Sequence, residues 1–303
     1  MTVEEIVKFL KEKPYAREMG AGKLSKWFNC DRETVYKAKE IVRKSRIKLP
    51  RILILDIETT PLEAYIWQTQ VWKARVNDEA VISRWYMLTW SAKWLFSKDT
   101  MSMRLRGEEV LEENDKRIVE GLWKVLNEAD IIIAHNGDSF DIPNINTRFI
   151  VNGLPPTKPY QTIDTLRIAQ KQFGFTHNSL NALAKVFGLT PKIETNYHLW
   201  KKCKNGDDIA LEEMETYNRG DIETLEEVYL KIRPWIKGHA NLSLYNDSTD
   251  GQCPNCASTN LKELGDYYTS VGRYTTYQCE CGAICRSRKT NISKDKTIYT
   301  SVR

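Results

Sequence analysis

Hydrophobic and polar positions sort the 303 residues into three blocks. In the first, about residues 1–48, "VEEIVKFLKEK" sets Val3, Ile6, Val7 and Leu10 on one helical stripe. "GKLSKWFNCDRETVYKAKEIVRK" predicts two short helices around a tight turn, with Asp31 as N-cap of the second. Val35, Ala38, Ile41 and Val42 form that helix's inward stripe, while Arg32, Glu33, Thr34 and Lys37 lie elsewhere on its first turns. "KSRIKLP" reads as a linker. The second block, about residues 50–238, opens on the strand "RILILDIE". "EAYIWQTQVW" and "WYMLTWSAKWLFS" are aromatic-rich and strand-like, "EENDKRIVEGLWKVLNEA" is an amphipathic helix, and "DIIIAHN" is a buried strand. A helix over 142–151, a strand-to-helix passage in "YQTIDTLRIAQKQ", and helices over 178–187 and 208–232 follow. Strands first, then alternating helix and strand, predict an α/β domain with a mixed sheet flanked by helices. The third block, about residues 251–303, has little helical periodicity and reads as a small β module with a polar tail.

Composition changes this picture little; charge and cysteine placement change it more. Hydrophobic and charged contents of 41% and 28% are those of a soluble globular protein. No run of about 18 apolar residues predicts a membrane span, and the acidic, amphipathic N-terminus lacks the apolar core of a signal peptide. A cytosolic or nucleoid-associated location, as for a phage or mobile-element protein, is expected, with no membrane partner. The net charge of +5 is unevenly spread: residues 1–50 carry 13 Lys/Arg against 7 Asp/Glu, and residues 251–303 carry 8 against 4. An acidic centre between two basic ends suits a metal-dependent core with polyanion-binding appendages.

The central block ends its first strand on two acids. In "ILILDIETT", Asp56 and Glu58 are two apart, so on a strand they share a face. Adjacent like charges raise one another's pKa unless a cation lies between them. "AHNGDSFDIPNINTRF" follows a buried strand, where α/β sheets favour sites, and offers Asp138 and Asp141. "YNRGDIETLEEVYL" places Tyr217 and Asp221 four apart on one helix face. Among neighbours, His135 is read as structural and Asp164 as an N-cap with a minor claim on metal. Trp67, Trp72, Trp85, Tyr86, Trp90 and Trp94 exceed ordinary core needs; core packing is expected for most and stacking on bases for some.

These three segments, in this order, resemble the 3′–5′ exonuclease superfamily named for its four acids, DEDD, close to the proofreading domains of family B DNA polymerases. "DIE" matches the first motif, "HNGDSFD" the second with its acid at Asp141, and "YNRGD" the third. Tyr217, four before Asp221, marks the tyrosine subclass, DEDDy; the histidine subclass would need a histidine where Thr216 stands. The resemblance implies a ribonuclease H-like core and hydrolysis of DNA from 3′ ends with two Mg²⁺ or Mn²⁺ ions. It implies that Asp56 bridges the ions, that Glu58 and Asp141 complete their shells, Asp141 directly or through water, that Asp221 holds the water-activating ion, and that Tyr217 orients that water. It implies further that Asn136 shapes the site or touches substrate and that Thr59 and Thr60 grip the terminal nucleotide. The first block resembles a helix-turn-helix DNA-binding module, with Arg32 and Lys37 toward DNA. A polymerase or another replication protein is the expected protein partner. An RNA exonuclease, or a DNA-binding regulator with a vestigial nuclease core, is the alternative.

Five of the seven cysteines fall between Cys253 and Cys285, a clustering that favours metal over disulfides. "CPNC" supplies Cys253 and Cys256, and "CECG" supplies Cys279 and Cys281. The whole looks like a zinc ribbon with one structural Zn²⁺. The second turn is C-x-C rather than C-x-x-C, which leaves open whether Cys285 replaces Cys279 or Cys281. "CRSRK" adds positive charge suited to a phosphate backbone; a protein-docking role for the module is the competing expectation.

Overall fold

The computed structural model describes residues 1–12, 16, 19–45, 49–67, 76–189, 195–246, 248 and 250–301. The chain divides into two compact units, Arg51–Ala240 in one and Met1–Pro50 with Asn241–Arg303 in the other. Among the described residues no helix is long and apolar enough to cross a membrane.

The N-terminal segment forms helices α1 (Val3–Glu12), α2 (Ala21–Phe28) and α3 (Arg32–Ser45). Ile6, Leu10, Leu24, Phe28, Val35, Ala38 and Val42 pack into one small core, with Val3 and Val7 at its edge. Asp31 starts α3 as expected: its carboxylate accepts the Thr34 amide and hydroxyl, each at 2.7 Å. Ile41 departs from the expected stripe and is 46% exposed. At 3.6 residues per turn it lies roughly 90° from the line through Val35, Ala38 and Val42.

The central unit is built on a five-stranded mixed sheet. Its first strand, β1 (Ile52–Thr59), is followed by a short ribbon of β2 (Glu63–Ala64) and β3 (Val81–Ser83). Of the strand expected over 63–72, the described residues 63–67 form strand only at the first two; residues 68–72, Trp72 among them, lie outside the described residues. β4 (Met87–Trp94), β5 (Thr100–Arg104), β6 (Ile131–Ala134) and β7 (Gln161–Asp164) complete the main sheet in the order β5-β4-β1-β6-β7. β4 pairs antiparallel with β1 and β5, while β6 runs parallel to β1 and β7. Helices α4 (Gly107–Leu111), α5 (Lys116–Leu126), α6 (Asp141–Val151), α7 (Thr165–Gln172), α8 (Leu180–Phe187), α9 (Tyr197–Lys204) and α10 (Asp208–Ile232) flank it. The sequence reading lacked β5, α4 and α9. These are short elements of five to eight residues, too brief for a periodic signal to stand out.

Alternation along β1 separates two chemistries. Leu53, Leu55 and Ile57 enter the main core with Leu88, Trp90 and Ala92 of β4 and with Ile118, Val119 and Leu122 of α5. Tyr86 and Trp90 are thus core residues, and the Trp90 indole donates to Ile118 O at 2.8 Å. Trp94 lies under the Arg51 guanidinium at 4.0 Å, and Trp85 faces that of Arg148 at 5.8 Å. Trp67 alone of the described tryptophans in that group is almost fully exposed. The opposite sheet face carries Asp56 beside Ser91, Glu58 beside Thr89 and Ile54 beside Lys93.

That second face is polar where the antiparallel strands run, and α10 meets it with a polar stripe of its own. Ser102 donates to Glu215 at 2.5 Å, Thr100 to Glu223 at 2.7 Å, and Arg219 to Ser102 at 2.9 Å. Buried Lys93 binds Glu223 at 2.5 Å and Glu226 at 2.7 Å, and Glu226 also accepts the Phe96 amide. Burial alone would lower the Lys93 pKa, but its two glutamate partners outweigh this and hold it above its ordinary value. The seam fixes the rotation and height of α10 against the sheet, and so sets which of its residues look at Asp56.

The C-terminal segment is a three-stranded antiparallel sheet, β8 (Leu261–Thr269), β9 (Gly272–Cys279) and β10 (Ile284–Arg286), in the order β10-β9-β8. Its only buried cluster surrounds Cys253, Cys279 and Ala283 among the described residues.

Candidate active site and metal centres

Three elements converge at the C-terminal end of β1. The strand delivers Asp56 and Glu58, α10 delivers Tyr217, Asn218 and Asp221, and the N-terminus of α6 delivers Asp141. One carboxylate oxygen from each of Asp56, Glu58 and Asp221 lies within 4.8 Å of the others. At that spacing each pair of ionised groups repels by at least about 3 kcal/mol at an effective dielectric near 20. The donor set therefore fits hard divalent cations, which favour carboxylate oxygens and offset the repulsion.

Asp141 stands behind this triad. It is 2% exposed, and its Oδ1 accepts the Ile57 amide at 3.2 Å, between the two β1 acids. Burial pushes its carboxyl up to about 7, and nearby Asp164 adds to the rise. Its oxygens are not among the mutually close set, so three of the four expected acids meet and the fourth stands apart.

Asp138 and Asp164 have other work. Asp138 pairs with Arg167 at 3.2 Å. Asp164 caps α7 by accepting the Leu166 and Arg167 amides, and it also accepts the Asn136 and Asp138 amides. It thereby shapes the loop that leads to Asp141, with Asn136 in the left-handed region at φ 71°. His135 is set by Thr165: the hydroxyl meets its Nδ1 at 2.9 Å and donates to Ala134 O at 3.2 Å.

The acids open onto a cleft of about 900 Å³. Asp56, Glu58, Asp141, Tyr217 and Asp221 line it with His135, Asn136 and Phe140, and residues 176–181 form a further wall. Neither Thr59 nor Thr60 lines the cleft: the buried Thr60 hydroxyl accepts the Tyr86 amide at 3.0 Å, and the Thr60 amide donates to Tyr86 O at 2.9 Å. Arg32 and Lys37 are exposed on α3 in the other unit, with Lys37 paired to Glu33 at 2.8 Å.

Three features of the site escaped the sequence reading. Asn218 is fully buried and donates through Nδ2 to Asp56 Oδ2 at 2.6 Å. Its spacing of three from Asp221 is a helical same-face signal that identifies it in retrospect. Asn178 and Asn181 turn buried amide oxygens toward no protein partner among the described residues, and no periodicity marks them. Ser91, directly across the ladder from Asp56, is likewise buried, and its hydroxyl has no partner among the described residues.

The cysteine centre is assembled locally. The Cys253 backbone carbonyl accepts the Ala257 amide, with Ala257 at φ 59°, and the Cys279 carbonyl accepts the Gly282 amide, with Gly282 at φ 87°. The two turns bring Cys253, Cys256, Cys279 and Cys281 together, with Sγ separations of 3.8 Å for Cys253–Cys281 and 3.4 Å for Cys256–Cys279. A tetrahedral Zn²⁺ with bonds of about 2.3 Å requires sulfurs about 3.8 Å apart, whereas a disulfide requires about 2 Å. Cys285 falls outside the foursome, and burial, then proximity to Cys279 and Cys281, raise its pKa.

A family model described as the RNase_H superfamily matches residues 53–233. Among curated proteins, none matches the chain. Among solved structures, the family B DNA polymerase from the hyperthermophilic archaeon Pyrobaculum calidifontis is similar at 15% identity and a TM-score of 0.45. That similarity covers 62% of this chain and 25% of the polymerase, so the chain spans about a quarter of its length.

Proposed function

The chain belongs to the RNase_H superfamily, and on that premise we propose that it is a metal-dependent 3′–5′ exonuclease of DNA. The observation that carries this reading is the meeting of Asp56, Glu58 and Asp221 oxygens within 4.8 Å in an open cleft. Polarity and the DNA substrate rest on the resemblance to the DEDDy group. Asp56, Glu58 and Asp221 would hold Mg²⁺ or Mn²⁺, which supplies the Lewis acidity that phosphodiester hydrolysis needs.

The chain's own groups prepare the rest. Asn218 binds one oxygen of Asp56 and limits its rotation. Asp141 ties the α6 N-terminus to the β1 backbone through the Ile57 amide. Tyr217, 6% exposed at the cleft wall and edge-on to Trp200 at 6.1 Å, orients the attacking water. It serves by hydrogen bonding through its hydroxyl. Water attacks phosphorus, the bond to the 3′-oxygen breaks, and a nucleoside 5′-monophosphate leaves the shortened 3′-hydroxyl strand. The polar wall of residues 176–181 receives the terminal nucleotide. The helices of residues 1–48 act as a helix-turn-helix for DNA, and the cysteine module as a zinc ribbon.

Digestion of a 5′-labelled duplex with a recessed or frayed 3′ end, beside the matching RNA, tests this reading with and without Mg²⁺ or Mn²⁺. A metal-dependent ladder shortening from the 3′ end, faster on DNA, is expected. Intact DNA in Mn²⁺ sinks the nuclease reading; cleavage of RNA alone reassigns the substrate.

A further inference from the structure

The C-terminal sheet has two faces of unlike chemistry, and its register assigns each residue to one of them. Directly opposed residues of an antiparallel pair project to the same side. Tyr267 opposes Tyr274, and Lys262 opposes Gln278; Arg286 opposes Thr276, and Ile284 opposes Gln278. Alternation along β9 then gathers Lys262, Tyr267, Tyr274 and Arg286 on one face. Asp266, opposite Thr275, and Glu263, opposite Tyr277, fall on the other, so the aromatic face carries no carboxylate from the three strands. The register shift between Glu263 and Gly265 brings Lys262 to that side; unshifted, it would oppose Cys279 and point away.

The aromatic face is organised and open. The Arg286 guanidinium lies 3.9 Å from the centroid of the Tyr274 ring, a stacked pair that presents a flat cationic surface. Tyr267, beside it, is 49% exposed. These rings are spare to the module's own core, which is the small cluster around the cysteines and Leu261.

We propose that this face binds single-stranded nucleic acid, with bases stacking on Tyr267 and on the Arg286–Tyr274 pair and phosphates meeting Lys262 and Arg286. Every base has a π-face, so aromatic rings and guanidinium planes hold strands with little sequence preference. The excess of eight Lys/Arg over four Asp/Glu in residues 251–303 favours a polyanion over a neutral or basic protein surface. The proposal rests on the nuclease reading for its biological sense, since it gives that enzyme a hold on its strand, but its test measures binding without hydrolysis.

The test uses the full-length protein carrying Asp56→Ala, a fluorescein-labelled oligo(dT), and anisotropy. Tyr267→Ala and Arg286→Ala should each weaken binding about tenfold, the scale of one stacked base. Tyr267→Phe, which keeps the ring, and Tyr268→Ala, on the opposite face, should stay within twofold. Zinc content at the parental level certifies that a variant's module is folded. Photo-crosslinking of an oligonucleotide bearing 5-iodouracil gives a second measurement that needs no variant, and adducts at Tyr267 or Tyr274 are expected. Alanine variants that bind within twofold of the parent, or crosslinks confined elsewhere, overturn the proposal and leave the face to a protein partner. If the parental enzyme cleaves nothing while these variants still lose binding, the nuclease reading fails and this one stands.

Discussion

The acidic cleft and the cysteine centre both gather ligand atoms to within 4.8 Å, yet they are built in opposite ways. The carboxylates come from positions 56, 58 and 221 and are brought together by a sheet and a 25-residue helix. The thiols come in two close pairs, each shaped by a tight turn whose left-handed residue follows the last cysteine of the pair. The cleft has a scaffold that folds through its own hydrophobic core; the cysteine module has only a few buried residues. A cation bound in the first would be a reagent held by a finished fold, whereas one in the second would be part of the fold.

Removing metal should separate the two most sharply. Chelation of zinc, or Cys253→Ser, should unfold the C-terminal module, because structural Zn²⁺ contributes on the order of 10 kcal/mol to such folds. Limited proteolysis should then cut within 251–303 while residues 51–240 persist. A protease-resistant C-terminal segment without zinc would remove the distinction.

In the cleft the reverse is expected. Asp56→Ala or Asp221→Ala should lower cleavage by roughly 10³-fold, the scale for losing a group that stabilises transition-state charge, with an unchanged melting temperature or a raised one. Near-parental turnover by either variant would falsify the metal assignment.

The seam that positions α10 should answer as a structural feature. Lys93→Met strands Glu226 in a buried setting and should cost about 3 kcal/mol of stability, read from the denaturant midpoint. The pH dependence has a definite sign. Lys93 has a raised pKa in the fold, so its contribution is complete below the unfolded lysine value and is lost as pH climbs through the folded one. Glu223 has a lowered pKa: burial opposes ionisation, but bonds from Lys93 and Thr100 outweigh it. Its contribution is lost as pH falls through that depressed value. A variant as stable as the parent at neutral pH would show the seam to be incidental.

Asn218→Ala should weaken Mn²⁺ binding by about 10- to 100-fold, as losing a hydrogen bond to a metal ligand does, measured by calorimetry against the parental protein in the absence of DNA, with calcium as a control. Unchanged affinity would reduce Asn218 to packing. The smallest effect belongs to Tyr217→Phe, which keeps the ring contact with Trp200 and removes only the hydroxyl. It should slow cleavage about tenfold through one lost hydrogen bond of about 1.5 kcal/mol, and equal rates would end its role with water.

Much of the central domain is legible from pattern alone. Helix 208–232 emerges with the expected bounds, and the acids at 56, 58, 141 and 221 all reach one cleft. Alternation on a strand and i, i+4 spacing on a helix are local geometry, so residues near in sequence could be placed on a face without the fold. Thr60 lies off the cleft because its hydroxyl is taken by Tyr86, 26 residues away. Asp164 similarly serves two segments at once, its own helix and the 136–138 loop.

What the sequence by itself determined is the inventory: which faces are apolar, where strands yield to carboxylates, and which cysteines form pairs. These follow from covalent spacing and backbone periodicity. Only the tertiary structure decided which distant groups meet: that Asn218 binds Asp56, that Asp141 reaches the Ile57 amide, and that Arg286 covers Tyr274. Such pairings depend on how α10 is rotated against the sheet and how a bulge shifts a hairpin's register, and those choices are made by packing and hydrogen bonds between segments far apart in the chain.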